Sequence, residues 1–148
     1  MSARVQLDLD SVAATRTGSI VGRIWLEVEG FAFPEVGWHD FPVPILTWWI
    51  EVLRELVTQP SDKESLRFMD GPFEVRLEDC GSRMRASFVR SGATLGVAEV
   101  DPAELLTSAL QSAEALVSTL ERQGVGSSDI GELTRVARRP PGQTKAEA

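Results

Sequence analysis

Only one cysteine, Cys80, and one histidine, His39, occur in the 148 residues of this chain. The first scarcity excludes an internal disulfide, and the two together exclude a zinc site built from nitrogen and sulfur ligands. Carboxylates alone are left to hold a metal, and no metal or cofactor is expected. No apolar run approaches the roughly 20 residues that a membrane-spanning helix needs. Absent as well are a glycine-rich phosphate loop, a helical histidine pair, a nucleophile elbow and a set of cysteine ligands. Together these gaps weigh against an enzyme.

Hydrophobic residues make up 43% of the chain and charged residues 25%, as in an ordinary soluble domain. The length suits one domain that buries about two-thirds of the surface its unfolded form exposes. The start, Met1-Ser2-Ala3-Arg4-Val5-Gln6-Leu7-Asp8, sets acid where a signal peptide carries its apolar segment, so a cytoplasmic location is expected. The net charge of −7 is unevenly spread. Residues 131–148 carry +2, from Arg135, Arg138, Arg139 and Lys145 against Glu132 and Glu147, which leaves −9 on residues 1–130. Such a body repels phosphate backbones and steers a basic partner toward itself, so nucleic acid is not an expected ligand.

Three of the four tryptophans lie in the stretch Gly37-Trp38-His39-Asp40-Phe41-Pro42-Val43-Pro44-Ile45-Leu46-Thr47-Trp48-Trp49. The prolines here and the lack of either period predict an ordered loop over residues 30–43, with Pro44 as the first position of a helix that runs to about Thr58. On a wheel at about 100° per residue, Trp49 falls in the middle of the apolar arc of Ile45, Val52, Leu53 and Leu56. Trp48 falls at its edge, beside Glu55. Trp49 is therefore expected in the core and Trp48 at the boundary.

Alternation predicts a strand at residues 4–10, with Val5, Leu7 and Leu9 inward. A second, at residues 19–29, turns Ile20, Gly22, Ile24, Leu26 and Val28 inward and leaves Trp25 on the polar face. Turn chemistry supplies four more: 66–69 and 73–78 about Asp70-Gly71-Pro72, then 83–90 and 94–100 about Ser91-Gly92. Asp101-Pro102-Ala103-Glu104 combines a capping aspartate, a proline at the first helical position and a glutamate that returns the cap. It opens a long amphipathic helix that Gly124 ends. An α+β fold is expected, a mostly antiparallel sheet of about six strands with two amphipathic helices packed on one face. Residues 1–124 form this single α+β domain. Residues 125–148, rich in Gly, Ser, Arg and Pro, are expected to be disordered apart from a short apolar trio, Leu133, Val136 and Ala137.

His39 beside Asp40 has the composition of half an acid–base pair, but sequence neighbours seldom bond each other and no nucleophile motif accompanies them. A structural hydrogen bond is expected for His39, and a loop anchor or helix cap for Asp40. Asp70 is expected as a turn aspartate, with a binding carboxylate at a loop tip as its alternative. Cys80, next to Glu78 and Asp79, is expected as a turn residue. Arg23, Arg76, Arg83 and Arg85 with Trp25 would make an anion patch, but Glu27, Glu29, Glu74 and Glu78 among them favour a solvated sheet face. Trp25 is the largest apolar side chain there and a centre for a partner or homodimer contact.

The block Phe33-Pro34, Trp38-His39-Asp40-Phe41, Val43, Ile45-Leu46 and Trp48-Trp49, followed by Phe68-Met69-Asp70-Gly71-Pro72-Phe73, resembles a family of small uncharacterised bacterial proteins. These carry domains of unknown function, and some of them look like immunity proteins of polymorphic toxin systems. The likeness covers about residues 19 to 123 and carries no catalytic residues over to this chain. A non-enzymatic acidic interaction domain, immunity-like and binding a basic partner, is expected. Its candidate binding residues are Trp38, His39, Asp40, Trp48, Asp70 and Trp25. The alternative is a small-ligand-binding or enzymatic domain that uses the Trp38-His39-Asp40 loop with Asp70. Self-association through the Trp25 face is compatible with either.

Overall fold

The computed structural model describes residues 3–59, 64–81 and 83–139. All six expected strands form, and two short ones join them, but they make two four-stranded antiparallel sheets rather than one sheet of six. In the first, β1 (Ala3–Ala14) pairs with β2 (Ile20–Val28), which pairs in turn with β3 (Phe31–Phe33) and β4 (His39–Asp40). The second runs β5 (Glu64–Arg67), β6 (Phe73–Asp79), β7 (Met84–Arg90) and β8 (Ala93–Val100) in chain order.

The expected loop over residues 30–43 thus holds two strands. Glu29 at φ 51° and Gly30 at φ 82° make a two-residue turn whose handedness matches strand twist, and it swings Phe31 back opposite Val28. Strands of three and two residues are too short to display alternation, so periodicity had nothing to register. In β1 a register shift between Asp8 and Ala13 interrupts the alternation, and Leu7 and Leu9 end only partly buried while Val5 and Val12 are enclosed.

Among the described residues three helices, not two, pack with the sheets: α1 (Pro42–Thr58), α2 (Pro102–Arg122) and α3 (Ser128–Ala137). α1 starts two residues earlier than expected, at Pro42, with Phe41 preceding it and no side-chain cap. α2 opens on Asp101, whose carboxylate accepts from Ala103 N at 2.9 Å. Glu104, however, does not return the cap; it accepts from the backbone N–H of Ala3 on β1. Ile24 and Leu26 of the first sheet and Leu66, Val75, Leu77 and Phe88 of the second share one core with Trp49 and Leu53 of α1 and Ala109 and Leu116 of α2.

α3 corrects the expectation of disorder beyond residue 124. Ser127 caps it through Ile130 N, and Ile130, Leu133 and Val136, spaced three apart, are buried as it packs on α1 and α2. Ten residues are too few for a helix stable by itself, so its order comes from docking. Arg54 of α1 latches its end: the guanidinium donates to the carbonyl of Val136, to that of Ala137 at 3.3 Å and to that of Arg139 at 3.2 Å. Val136 and Ala137 lie in the last turn of α3, whose carbonyls form the partly negative end of the helix, and Arg139 follows just beyond its cap. Burial, and then the nearby Arg139 guanidinium, lowers the Arg54 pKa from its ordinary value, while Glu51 raises it. Arg54→Met is expected to cost about 1–3 kcal/mol of stability and to speed amide exchange over residues 128–137. Unchanged exchange in that segment would contradict the latch.

Residues 60–62, expected to close α1, Ser82 of an expected turn, and residues 140–148 of the expected tail lie outside the described residues. Among the described residues no helix is long and apolar enough to cross a membrane.

Candidate functional site

Successive side chains of a strand point to opposite faces, and β4 therefore separates His39 from Asp40. His39 is exposed, opposite Arg23 of β2, while Asp40 is only 1% exposed. The two do not form an acid–base couple, and among the described residues His39 makes no side-chain hydrogen bond. The Asp40 carboxylate accepts instead from Trp38 Nε1 at 2.9 Å, from Phe41 N at 2.8 Å and from Asp70 N at 3.1 Å. Loop anchor, rather than helix cap, is its role.

Asp70 joins this cluster through its backbone N–H, and its own side chain is exposed. The Trp38 ring meets Phe73 edge-on at 5.0 Å between centroids. Gly71, at φ 75°, passes so close beneath them that a Cβ would lie 3.0 Å from Phe73 and 3.4 Å from Trp38. Three of the six candidate residues, Trp38, Asp40 and Asp70, are thus brought together, and what they build is a joint between the segment before α1 and the β5–β6 turn. Gly71 and Phe73 complete that joint; the Asp-Gly-Pro turn was the signal that marked them in the sequence.

Trp25 sits half-buried on the outer face of the first sheet and donates from Nε1 to Glu27 Oε1 at 3.3 Å, while Glu27 Oε2 accepts from Gln6 Nε2 at 3.2 Å. The arginines do not gather around it. Arg23 faces Asp8 at 3.5 Å on the same sheet, whereas Arg76 and Arg85 belong to the second sheet and pair with Glu74 at 2.9 Å and Glu78 at 3.9 Å. Cys80 is exposed in its turn, with its backbone N–H donated to Arg83 O.

Trp48 is different in kind. It projects from the first half of α1 and is 50% exposed, while its neighbour Trp49 is 1% exposed, as their wheel positions require. Around Trp48, Val43, Pro44, Thr47 and Glu51 of α1 and Asp129 and Glu132 of α3 line a hollow of about 210 Å³. It shares Val43, Pro44 and Asp129 with a second hollow of about 270 Å³, to which Ile20, Phe41 and the exposed Met69 contribute. The two adjoin as one shallow groove, with Val43, Pro44 and Trp48 beside Thr47 and Glu51 along α1, and Asp129 and Glu132 along α3. Of its acids, Glu132 pairs with Arg135 at 2.9 Å, and Glu51 is approached at 3.7 Å by the buried Arg139. Reading residues 125–148 as disordered hid this groove, because only an ordered α3 carries Asp129 and Glu132 to Trp48. The threefold spacing of Ile130, Leu133 and Val136 was the available clue.

A third hollow, about 360 Å³, lies beside the β5–β6 turn between Arg67, Phe73 and Gly92. All three volumes fall near or below the lower limit of small-molecule sites, which enclose roughly 300–1,000 Å³. Among the described residues no group of three or more His, Cys, Asp and Glu side chains is placed to hold a metal. Comparison with protein-family models, with curated proteins and with solved structures finds no match for this chain.

Proposed function

We propose that this protein is a non-enzymatic, acidic interaction domain of the immunity type, working in the cytoplasm, that binds a basic protein through the groove at Trp48. The observation that carries the proposal is the half-exposed Trp48 set among Val43, Pro44 and three carboxylates, Glu51, Asp129 and Glu132. A large ring held on a helix, with little rotamer freedom left to lose, is the kind of side chain that anchors interfaces. The −9 charge of residues 1–130 draws a basic partner in, and Asp129 and Glu132 meet it at the groove. Against the ligand-binding alternative stands the joint at Asp40, whose carboxylate is enclosed by three donors and turned away from His39.

Affinity capture from the producing cells followed by titration of the captured protein tests this. The partner is expected to be rich in Lys and Arg and to bind more weakly as salt rises. Trp48→Ala is expected to weaken binding by about 2 kcal/mol, roughly thirtyfold, with the thermal midpoint nearly unchanged. Asp129→Lys is expected to slow association. An acidic partner, or one indifferent to both substitutions, would overturn the proposal.

A further inference from the structure

Each sheet ends in strands whose outer backbone groups need covering, because an uncovered edge pairs with another chain. At β1 the cover is built from side chains of α2 and of Gln123, which caps its end. Glu104 accepts from Ala3 N, Ser108 Oγ accepts from Val5 N at 2.8 Å and donates to Val5 O at 3.4 Å, and Gln123 Nε2 donates to Val12 O at 3.2 Å. At β5 the indole of Trp49 donates to Arg67 O at 2.9 Å, and α1 packs alongside. β3 and β4, at three and two residues, are too short to template a partner.

β8 has none of these protections. It is eight residues long and closes the order β5-β6-β7-β8, and among the described residues no side chain bonds its outer edge. Seven of its eight residues are at least partly exposed, with Leu95 at 56% and Val97 at 61%. It contains neither Lys nor Pro. One bulge interrupts it, at Leu95, and from Gly96 to Val100 it runs in unbroken register opposite Met84 to Phe88.

We infer that β8 is a dimerisation edge, and that its occupant is β8 of a second copy of this chain, added antiparallel and centred on Val97. Charge selects that occupant. The acids that draw a basic partner lie elsewhere, and β8 carries one charge, Glu99 near its end. A basic strand finds little attraction there, whereas a strand as sparsely charged fits, and β8 is itself such a strand. In the Val97-centred pairing Val97 meets its own copy and Glu99 stands across from Leu95. The two carboxylates are then four residues apart along the ladder, about 14 Å, beyond the screening length of roughly 8 Å at physiological salt. Pairing about a two-fold axis consumes the free edge of both copies, so assembly closes at the dimer instead of growing into a fibre. This interface lies on the second sheet, away from α1 and α3, and stands or falls independently of the Trp48 groove.

Sedimentation of the full chain from micromolar to millimolar concentration tests it. The mass is expected to rise from 16.2 kDa toward twice that value, and amide exchange in β8 is expected to slow over the same range. Val97→Lys places two ammonium groups on the two-fold axis and is expected to weaken the dimer roughly tenfold or more. Val97→Thr, still β-branched, should retain it, and Trp25→Ala should leave it untouched. A wild-type chain that stays at 16.2 kDa throughout overturns the inference. So does a dimer that survives Val97→Lys or dissolves with Trp25→Ala, or an edge whose exchange slows only when a foreign protein is added.

Discussion

Trp49→Ala is expected to destabilise the protein by about 3–5 kcal/mol, the usual cost of removing a large aromatic side chain from a core. Three losses combine at this position. The ring is almost entirely enclosed, it stands edge-on to Phe68 at 5.1 Å, and its Nε1 donates to Arg67 O at the outer edge of β5. The first two couple α1 to the core of the second sheet; the third satisfies a strand-edge carbonyl that has no strand beside it. Domains of this size have a total stability on the order of 5–15 kcal/mol, so a substantial share rests on one residue. Urea unfolding checks the magnitude, and Trp49→Phe separates the terms. Phenylalanine keeps most of the apolar contact but strands the Arg67 carbonyl, for a loss of about 1–3 kcal/mol. The neighbouring Trp48→Ala is expected to stay within about 1 kcal/mol because half of that ring is already in water. Equal losses from the two alanine variants would contradict the assignment of Trp49 to packing and Trp48 to recognition.

Asp40→Ala is expected to be nearly as damaging, at about 3–5 kcal/mol, for a different reason. No large apolar contact disappears. Instead the indole N–H of Trp38 and the backbone N–H groups of Phe41 and Asp70 lose their shared acceptor in a place that admits almost no solvent. Asp40→Asn preserves the shape but turns an amide donor toward donors, and about 2 kcal/mol of loss is expected from it. The equilibrium unfolding midpoint measures the cost, and the Trp38 indole proton resonance reports whether the joint has opened. A change within about 0.5 kcal/mol, the range of ordinary surface substitutions, would show that Asp40 does not hold the α1 approach to the β5–β6 turn.

The two-residue period of Ile20 to Val28 and the helical period of Ile45 to Val57 each concern one element; the first placed its buried side chains correctly, and the second did so for Ile45, Leu46, Trp49, Ile50, Leu53 and Leu56, whereas Val52 is only partly buried and Val57 is exposed. Asp70-Gly71-Pro72 and Ser91-Gly92 marked their turns because the backbone at Gly71, Ser91 and Gly92 takes positive φ. The Asp101 cap is satisfied two residues away, within its own helix. Glu104 looked equally local, yet its acceptor serves β1, about a hundred residues earlier in the chain. Asp40 was recognisable as an anchor, but nothing nearby in sequence showed that it would reach the Asp70 amide.

The type of the six longer strands and of α1 and α2, the marked turns, the opposite fates of Trp48 and Trp49, and the antiparallel α+β class were determined by composition and local period, since backbone propensity and amphipathic spacing act over a few residues. Tertiary structure decided the rest. It split the strands into two sheets, gave β3 and β4 their pairing with β2, ordered α3 against α1, and brought Asp129 and Glu132 to Trp48. It also covered the edge of β1, while among the described residues no side chain bonds the outer edge of β8. A two-residue strand or a ten-residue helix gains too little from its own hydrogen bonds to persist, and takes its stability from partners that only the folded chain assembles.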